Sequence, residues 1–77
     1  MLDSTRAVDA QPLASVRKRK LLSQRDLARQ AGVALSTIYL IEAGKTERVS
    51  FKVMRSVSEA LGVAPESIAE FRRALEA

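Results

Sequence analysis

Cationic side chains are the residues of this sequence with the most obvious chemistry. Arg17, Lys18, Arg19 and Lys20 form one run, and the second group is the pair Lys45 and Arg48. Thirteen basic residues against nine acidic ones leave a formal net charge of +4. A basic balance of this kind suits an anionic partner. The run at residues 17–20 is also typical of a solvated helix end, where cations offset the helix dipole.

The composition excludes several other kinds of chemistry. The 77 residues contain no Cys and no His, which excludes disulfides, thiol nucleophiles, imidazole acid–base catalysis and the usual zinc ligands. The Ser, Lys, Tyr and carboxylate side chains that remain show no spacing of a recognisable catalytic pair. We therefore predict no enzymatic activity, no catalytic residue and no metal site.

Hydropathy and aromatic content narrow the class of protein further. The longest apolar runs are a few residues, which predicts no membrane-spanning helix, and the N-terminus lacks the apolar core of a signal peptide. The absence of cysteine fits a reducing cytoplasm. The three aromatic residues, Tyr39, Phe51 and Phe71, provide no stacking platform for single-stranded nucleic acid.

Residues 24–41 have the spacing of a helix-turn-helix. Ala28 is small where two helices would cross closely, and Gly32 tolerates the positive φ that the turn between them requires. The apolar residues that would close over one another are Leu27, Ala31, Val33, Ile38 and Ile41. Such a unit presents one helix outward, at a size that fits a DNA major groove. The alternative interpretation is a helical bundle in which the same residues only pack.

The rest of the chain supplies the elements that position this unit. The first ten residues lack periodicity, so we predict a flexible arm at residues 1–10 and one domain at residues 11–77. No segment alternates as a strand would. The predicted helices run from Pro12 to about Lys20, from Gln24 to Ala31 after the N-cap Ser23, from about Leu35 to Ala43, between the caps Ser50 and Gly62, and from Pro65 onward.

Residues 13–71 resemble the Cro and phage-repressor type of helix-turn-helix domain, also called the xenobiotic-response-element family. The matching segments are Leu22-Ser23-Gln24, Leu27-Ala28, Ala31-Gly32-Val33, Ser36-Thr37-Ile38-Tyr39, Ile41-Glu42, Gly44-Lys45 and Ala60-Leu61-Gly62-Val63. The resemblance implies an all-α, five-helix, lambda-repressor-like domain of prokaryotic or phage origin. It also implies a dimer on a two-fold symmetric operator, with no enzymatic activity and no cofactor.

The third predicted helix, residues 35–43, would be the recognition helix in the major groove. At about 100° per residue, Ile38 and Ile41 point to the core, while Ser36, Tyr39, Leu40 and Ala43 point away. The residues expected to face the bases are Leu35, Ser36, Thr37, Tyr39 and Leu40. Arg, Asn and Gln, which make bidentate base contacts, are missing here, so specificity would come partly from thymine methyl groups and DNA shape. Alternatively, Tyr39 and Leu40 bind a protein partner.

Phosphate contacts are expected from Gln24, Lys45 and Arg48. Gln24 would stand at the start of the second helix, where free N–H groups attract a phosphate, and the resemblance implies that use of the matching glutamine. Lys45 and Arg48 would lie in the loop after the third helix. The resemblance also implies an ion pair between Arg17 and Glu42, which we interpret as structural.

The sequence departs from the family at a few positions. Leu21 stands where a glycine often ends the first helix, and a left-handed conformation of a leucine costs about 1 kcal/mol. Ala34 and Ala64 replace the usual capping Ser or Thr, which should weaken both helix starts.

A C-terminal stripe predicts the dimer interface. Ile68, Phe71 and Leu75 recur at i, i+3 and i+7, and the core could cover the first two. Leu75 would need a second copy of the chain to cover it. A frayed terminus is the alternative.

These expectations combine into a sequence-specific regulator of transcription that binds double-stranded DNA, of the repressor type and acting as a homodimer. The alternative is a protein-interaction module, or an antitoxin-like partner protein, that retains the fold with weak or no operator binding. DNA affinity that falls steeply with salt would distinguish the first function from the second.

Overall fold

The computed structural model describes residues 9–76 and is helical. Its helices are α1 (Leu13–Arg19), α2 (Gln24–Ala31), α3 (Leu35–Glu42), α4 (Phe51–Leu61) and α5 (Ala69–Glu76), with two 3₁₀ turns at Thr46–Arg48 and Pro65–Ser67. The predicted arm, residues 1–10, falls outside the described residues except for Asp9 and Ala10. The five-helix, all-α architecture is confirmed.

Serine caps fix where α2 and α4 begin. The Ser23 hydroxyl accepts from the Asp26 N–H at 2.9 Å, and the Asp26 carboxylate accepts from the Ser23 N–H at 3.0 Å. This reciprocal capping box satisfies two backbone donors at the start of α2. Ser50 accepts from the Val53 N–H at 3.2 Å in the same way. The predicted N-caps of both helices are therefore present.

The core is formed by apolar side chains from all five helices. α2 lies at its centre, because it packs against both α3 and α4. The buried residues are Leu13, Val16, Leu27, Ala28, Ile38, Ile41, Met54, Val57, Leu61, Ile68 and Phe71. Burial of this set is the main favourable contribution to folding.

The start of the fifth helix differs from the prediction. Pro65 opens a 3₁₀ turn, Ile68 is extended with φ −99° and ψ 119°, and α5 begins at Ala69. The reason is a backbone pairing with the segment before α1. Gln11 donates its N–H to the Ser67 carbonyl at 2.9 Å and accepts from the Ala69 N–H at 2.7 Å. These bonds hold Ile68 extended and delay the helix.

The predicted dimer stripe is correspondingly altered. Ile68 and Phe71 are completely buried in the monomer core, and Ile68 is not helical. Neither can form direct contacts with a second copy while the core is intact. Leu75 remains 48% exposed and is the member of the stripe that is free to do so.

A buried carboxylate replaces the missing cap of α1. Pro12 at the N-cap offers no side-chain hydrogen bond, and the Leu13 N–H donates instead to Glu70 Oε1 at 2.8 Å. Glu70 belongs to α5 and is buried. The bond joins the first and last helices across 57 residues of sequence.

Candidate nucleic-acid interface

The turn between α2 and α3 has the conformation that the sequence predicts. Gly32 ends α2 with φ 71° and ψ 33°, a left-handed conformation that glycine adopts without strain. The Val33 N–H donates to the Ala28 carbonyl at 3.0 Å and closes the turn. Ala28 is buried, and the helix that carries it packs against α3, as expected of a small residue where two helices cross. Residues 24–42 therefore form a helix-turn-helix.

One face of α3 packs on the core and the other faces solvent. Ile38 and Ile41 are completely buried, whereas Ser36 and Ala43 are exposed. Tyr39 is 64% exposed and Leu35 38% exposed. Thr37 and Leu40 are half-buried, so none of the residues predicted to face the bases lies in the core.

Ala34, immediately before α3, provides no side-chain cap for that helix. This is the weakness expected of an alanine at that position.

An ion pair links α1 to the end of α3. Arg17 Nε lies 2.7 Å from Glu42 Oε2, and a second guanidinium nitrogen lies 3.1 Å from Oε1, so the pair is bidentate. Their side chains are only 9% and 11% exposed. Arg17 also donates to the Leu22 carbonyl at 2.9 Å, just before α2. The pair thus holds three helices of the domain in register.

Gln24 joins the same cluster. Its Nε2 donates to Glu42 Oε1 at 2.9 Å, which ties the first residue of α2 to the last residue of α3. Sequence reasoning assigned Gln24 to a phosphate and missed this bond, because the contact depends on how α2 packs on α3. A glutamine amide has two N–H donors, so one donor remains for another acceptor.

Glu42 is ionised in this setting. Burial opposes its ionisation, but the hydrogen bonds from Arg17 and Gln24 outweigh burial and hold the pKa of Glu42 below its usual value. The three side chains therefore carry one positive and one negative charge, which cancel.

Two cations follow α3 on the surface. Gly44, with φ 83°, turns the chain after the helix, and the Lys45 N–H donates to the Leu40 carbonyl at 2.9 Å. Lys45 and Arg48 are exposed, and neither forms an ion pair with another residue of the 9–76 range. Both are exposed cations that follow α3 closely in sequence and are available to an anion.

Other cations differ in their availability. Lys18, Arg19 and Lys20 are exposed at the end of α1, and no ion pair involves them within the part of the chain that the structure describes. Arg29 is paired with Asp26 at 2.7 Å. The hydrogen bonds from Ser23 and then Arg29 lower the pKa of Asp26 to about 2.

Among residues 9–76, no group of three acidic side chains is placed to hold a metal ion. In the same residues, no helix has the length and apolar character needed to cross a membrane.

Comparison with known proteins assigns the family. A family model described as helix-turn-helix matches residues 13–68, which is more than half of the chain. Comparisons with curated proteins and with solved structures gave no significant match. The matched range contains α2, the glycine turn and α3, and it ends just before α5. The chain therefore belongs to the Cro and phage-repressor type of helix-turn-helix family, whose members are DNA-binding regulators.

Proposed function

We propose that this protein is a sequence-specific regulator of transcription, of the repressor type, that places α3 in the major groove of double-stranded DNA. The observation that carries the proposal is the arrangement around α3. Its inner face is fixed by Ile38 and Ile41, its outer face is solvent-accessible, and two exposed cations, Lys45 and Arg48, follow it in sequence. An α-helix of this kind fits the major groove, and cations beside it suit the phosphates.

The proposal assigns base and phosphate contacts to different residues. Leu35, Ser36, Thr37, Tyr39 and Leu40 face the base edges. Gln24, Lys45 and Arg48 contact phosphates and set the position of α3 along the duplex. Arg17 and Glu42 contact no DNA and hold α3 in place. The assignment needs no cofactor and no catalytic residue. The proposed location is the cytoplasm, for a prokaryotic or phage-encoded protein that is associated with the nucleoid when bound.

A homodimer is part of the proposal. Leu75 and Phe51, exposed by 48% and 68%, line one groove of about 210 Å³ together with Met54 and Pro65. Arg55 and Glu66 also line it. We place the two-fold axis through this groove, because a surface that carries both a cation, Arg55, and an anion, Glu66, can pair with its own copy. Ile68 and Phe71 support the groove from the core.

Such a dimer would present two recognition helices to successive major grooves, about 34 Å apart. Sedimentation of the full chain and of Leu75→Glu tests it. The proposal predicts that the full chain is a dimer at high concentration, at least when DNA is present. It predicts that the variant is a monomer under the same conditions. Equal sedimentation and equal DNA binding by the two proteins would contradict it.

Binding-site selection from random duplex DNA tests the function as a whole. The proposal predicts that the purified full chain recovers one sequence with two-fold symmetry. Recovery of no sequence preference, together with affinity that is insensitive to salt, would contradict DNA regulation.

The second candidate is a protein-interaction module or antitoxin-like partner protein. The observation that favours it is the exposure of Tyr39 and Leu35 on the outer face of α3, because exposed apolar groups also suit protein contacts. This candidate predicts that the free protein binds duplex DNA weakly or not at all and recovers no preferred sequence.

A further inference from the structure

The outer face of α3 offers a duplex apolar groups and single hydroxyl groups. Leu35 and Leu40 are both partly exposed, and Ala43 is exposed beyond them. The hydrogen-bonding groups of this face are the Ser36, Thr37 and Tyr39 hydroxyls. Glu42, the remaining polar residue of α3, is engaged by Arg17 and Gln24. The helix therefore has no side chain that can bond two atoms of one base at once.

The apolar group that a duplex presents in the major groove is the C5-methyl group of thymine. Cytosine methylated at C5 carries the same group at the same position, because both bases are pyrimidines paired in the same geometry. Hydroxyls discriminate weakly, since they both donate to and accept from different bases. Methyl groups are thus the feature of a base pair that this face can distinguish best.

We propose that α3 selects DNA by 5-methylpyrimidines, thymine or 5-methylcytosine, and that Leu35 and Leu40 are the residues that contact the methyl groups. This inference rests on the proposed function, because it requires α3 in the major groove. Partial burial suits Leu35 and Leu40 to the role. The buried part of each side chain fixes its position, and the exposed part is free to contact a methyl group.

The surroundings of Leu40 favour a duplex over a protein partner at this face. The Leu40 carbonyl accepts from the Lys45 N–H at 2.9 Å, so the residue that carries this exposed cation follows directly after the turn of helix that carries Leu40. Arg48 lies three residues further on and is also exposed. Exposed cations close in sequence to an apolar contact suit a duplex, in which the methyl groups of the major groove lie between two rows of phosphates.

Removal of single methyl groups from the DNA tests the inference. Within the sequence recovered by site selection, each thymine is replaced in turn by deoxyuridine, which removes only the methyl group. We expect at least two positions per half-site at which the replacement weakens binding by about fourfold, the value for one buried methyl group. The slope of log Kd against log salt should stay unchanged, because no phosphate contact is altered.

Replacement of the same thymine–adenine pairs by 5-methylcytosine–guanine should retain more affinity than replacement by cytosine–guanine.

Protein variants assign the contacts to residues. Leu40→Ala should abolish the loss of affinity on thymine-to-uracil replacement at one DNA position and preserve it at the second position. Leu35→Ala should do the reverse. Ser36→Ala is the matched control on the same face and should preserve both differences. Thermal unfolding of each variant verifies that the protein remains folded.

The possible results are distinguishable. A duplex that binds with sequence preference but shows no uracil effect at any position overturns the inference and leaves the proposed function intact. Uracil effects that survive both leucine variants overturn the residue assignment. A wild-type protein that binds no duplex overturns the proposed function and this inference with it.

Discussion

Gln24 and Glu42 are joined by a hydrogen bond of 2.9 Å from Nε2 to Oε1, although 18 residues separate them. The bond connects the start of α2 to the end of α3, and Arg17 holds the same carboxylate from α1. The residue proposed for a phosphate is therefore held by Glu42, to which the proposal assigns no DNA contact. The charge of Glu42 is cancelled by Arg17, so the carboxylate can orient Gln24 without repelling a phosphate.

Loss of Glu42 should destabilise the domain. Glu42→Ala leaves the buried Arg17 guanidinium without its partner, and we expect the free energy of unfolding to fall by about 1–3 kcal/mol. Urea denaturation measures it. Glu76→Ala is the matched control, because Glu76 pairs with Arg72 in an exposed setting and such pairs contribute little. Equal stability of wild type and Glu42→Ala would contradict a structural role for the pair.

DNA affinity should show coupling between Gln24 and Glu42. In the otherwise wild-type protein, we expect Gln24→Ala to weaken duplex binding by about tenfold, which is the contribution of one hydrogen bond to a charged group. The loss should be smaller when Glu42 is already alanine, because Gln24 is then no longer oriented. A double-mutant cycle at a temperature where every variant is folded measures the coupling. The parallel cycle of Gln24→Ala with Lys45→Ala should be additive, and additivity in both cycles would show that Glu42 does not position Gln24.

Acid should destabilise the protein through two carboxyl groups. Asp26 has a folded-state pKa of about 2 against an ordinary value of 3.8, and the pKa of Glu42 is lowered from 4.5. As the pH falls, these two carboxyl groups therefore bind protons in the unfolded state before they do so in the folded state. The stability that both groups contribute is fully present above their ordinary pKa values and is lost as the pH falls towards 2. Urea denaturation across this range measures the loss. Asp26→Asn should reduce the slope of stability against pH, and an unchanged slope would contradict the role of the capping box.

Relief of backbone strain should stabilise the end of α1. Leu21 has φ 60° and its side chain is 90% exposed, so the strained conformation is not offset by burial. We expect Leu21→Gly to raise the free energy of unfolding by up to about 1 kcal/mol, reduced by the greater freedom of glycine in the unfolded chain. Leu21→Ala retains the strain and should change nothing. A Leu21→Gly variant less stable than Leu21→Ala would contradict this account.

The features that were predictable from the sequence are those determined by residues close to one another in the chain. Ser23 marks the start of α2, Gly32 marks its end, and the apolar period places Ile38 and Ile41 inward. Features that depend on distant residues were missed. Gln11 pairs with Ser67 and Ala69 and delays α5, and Glu70 caps α1 from the far end of the chain. The bond from Gln24 to Glu42 is of the same kind.

The salt dependence of duplex binding tests the central claim most directly. On the sequence recovered by site selection, log Kd should rise linearly with log salt. Lys45→Ala and Arg48→Ala should each lower the slope by about 0.9 for every chain bound, which is the value of one phosphate contact. Each variant should weaken binding to the selected and the scrambled duplex by the same factor. Leu40→Ala should leave the slope unchanged and reduce the preference for the selected duplex. The reverse result, with sequence preference lost in the loop variants and the slope altered in Leu40→Ala, would contradict the placement of α3 in the major groove.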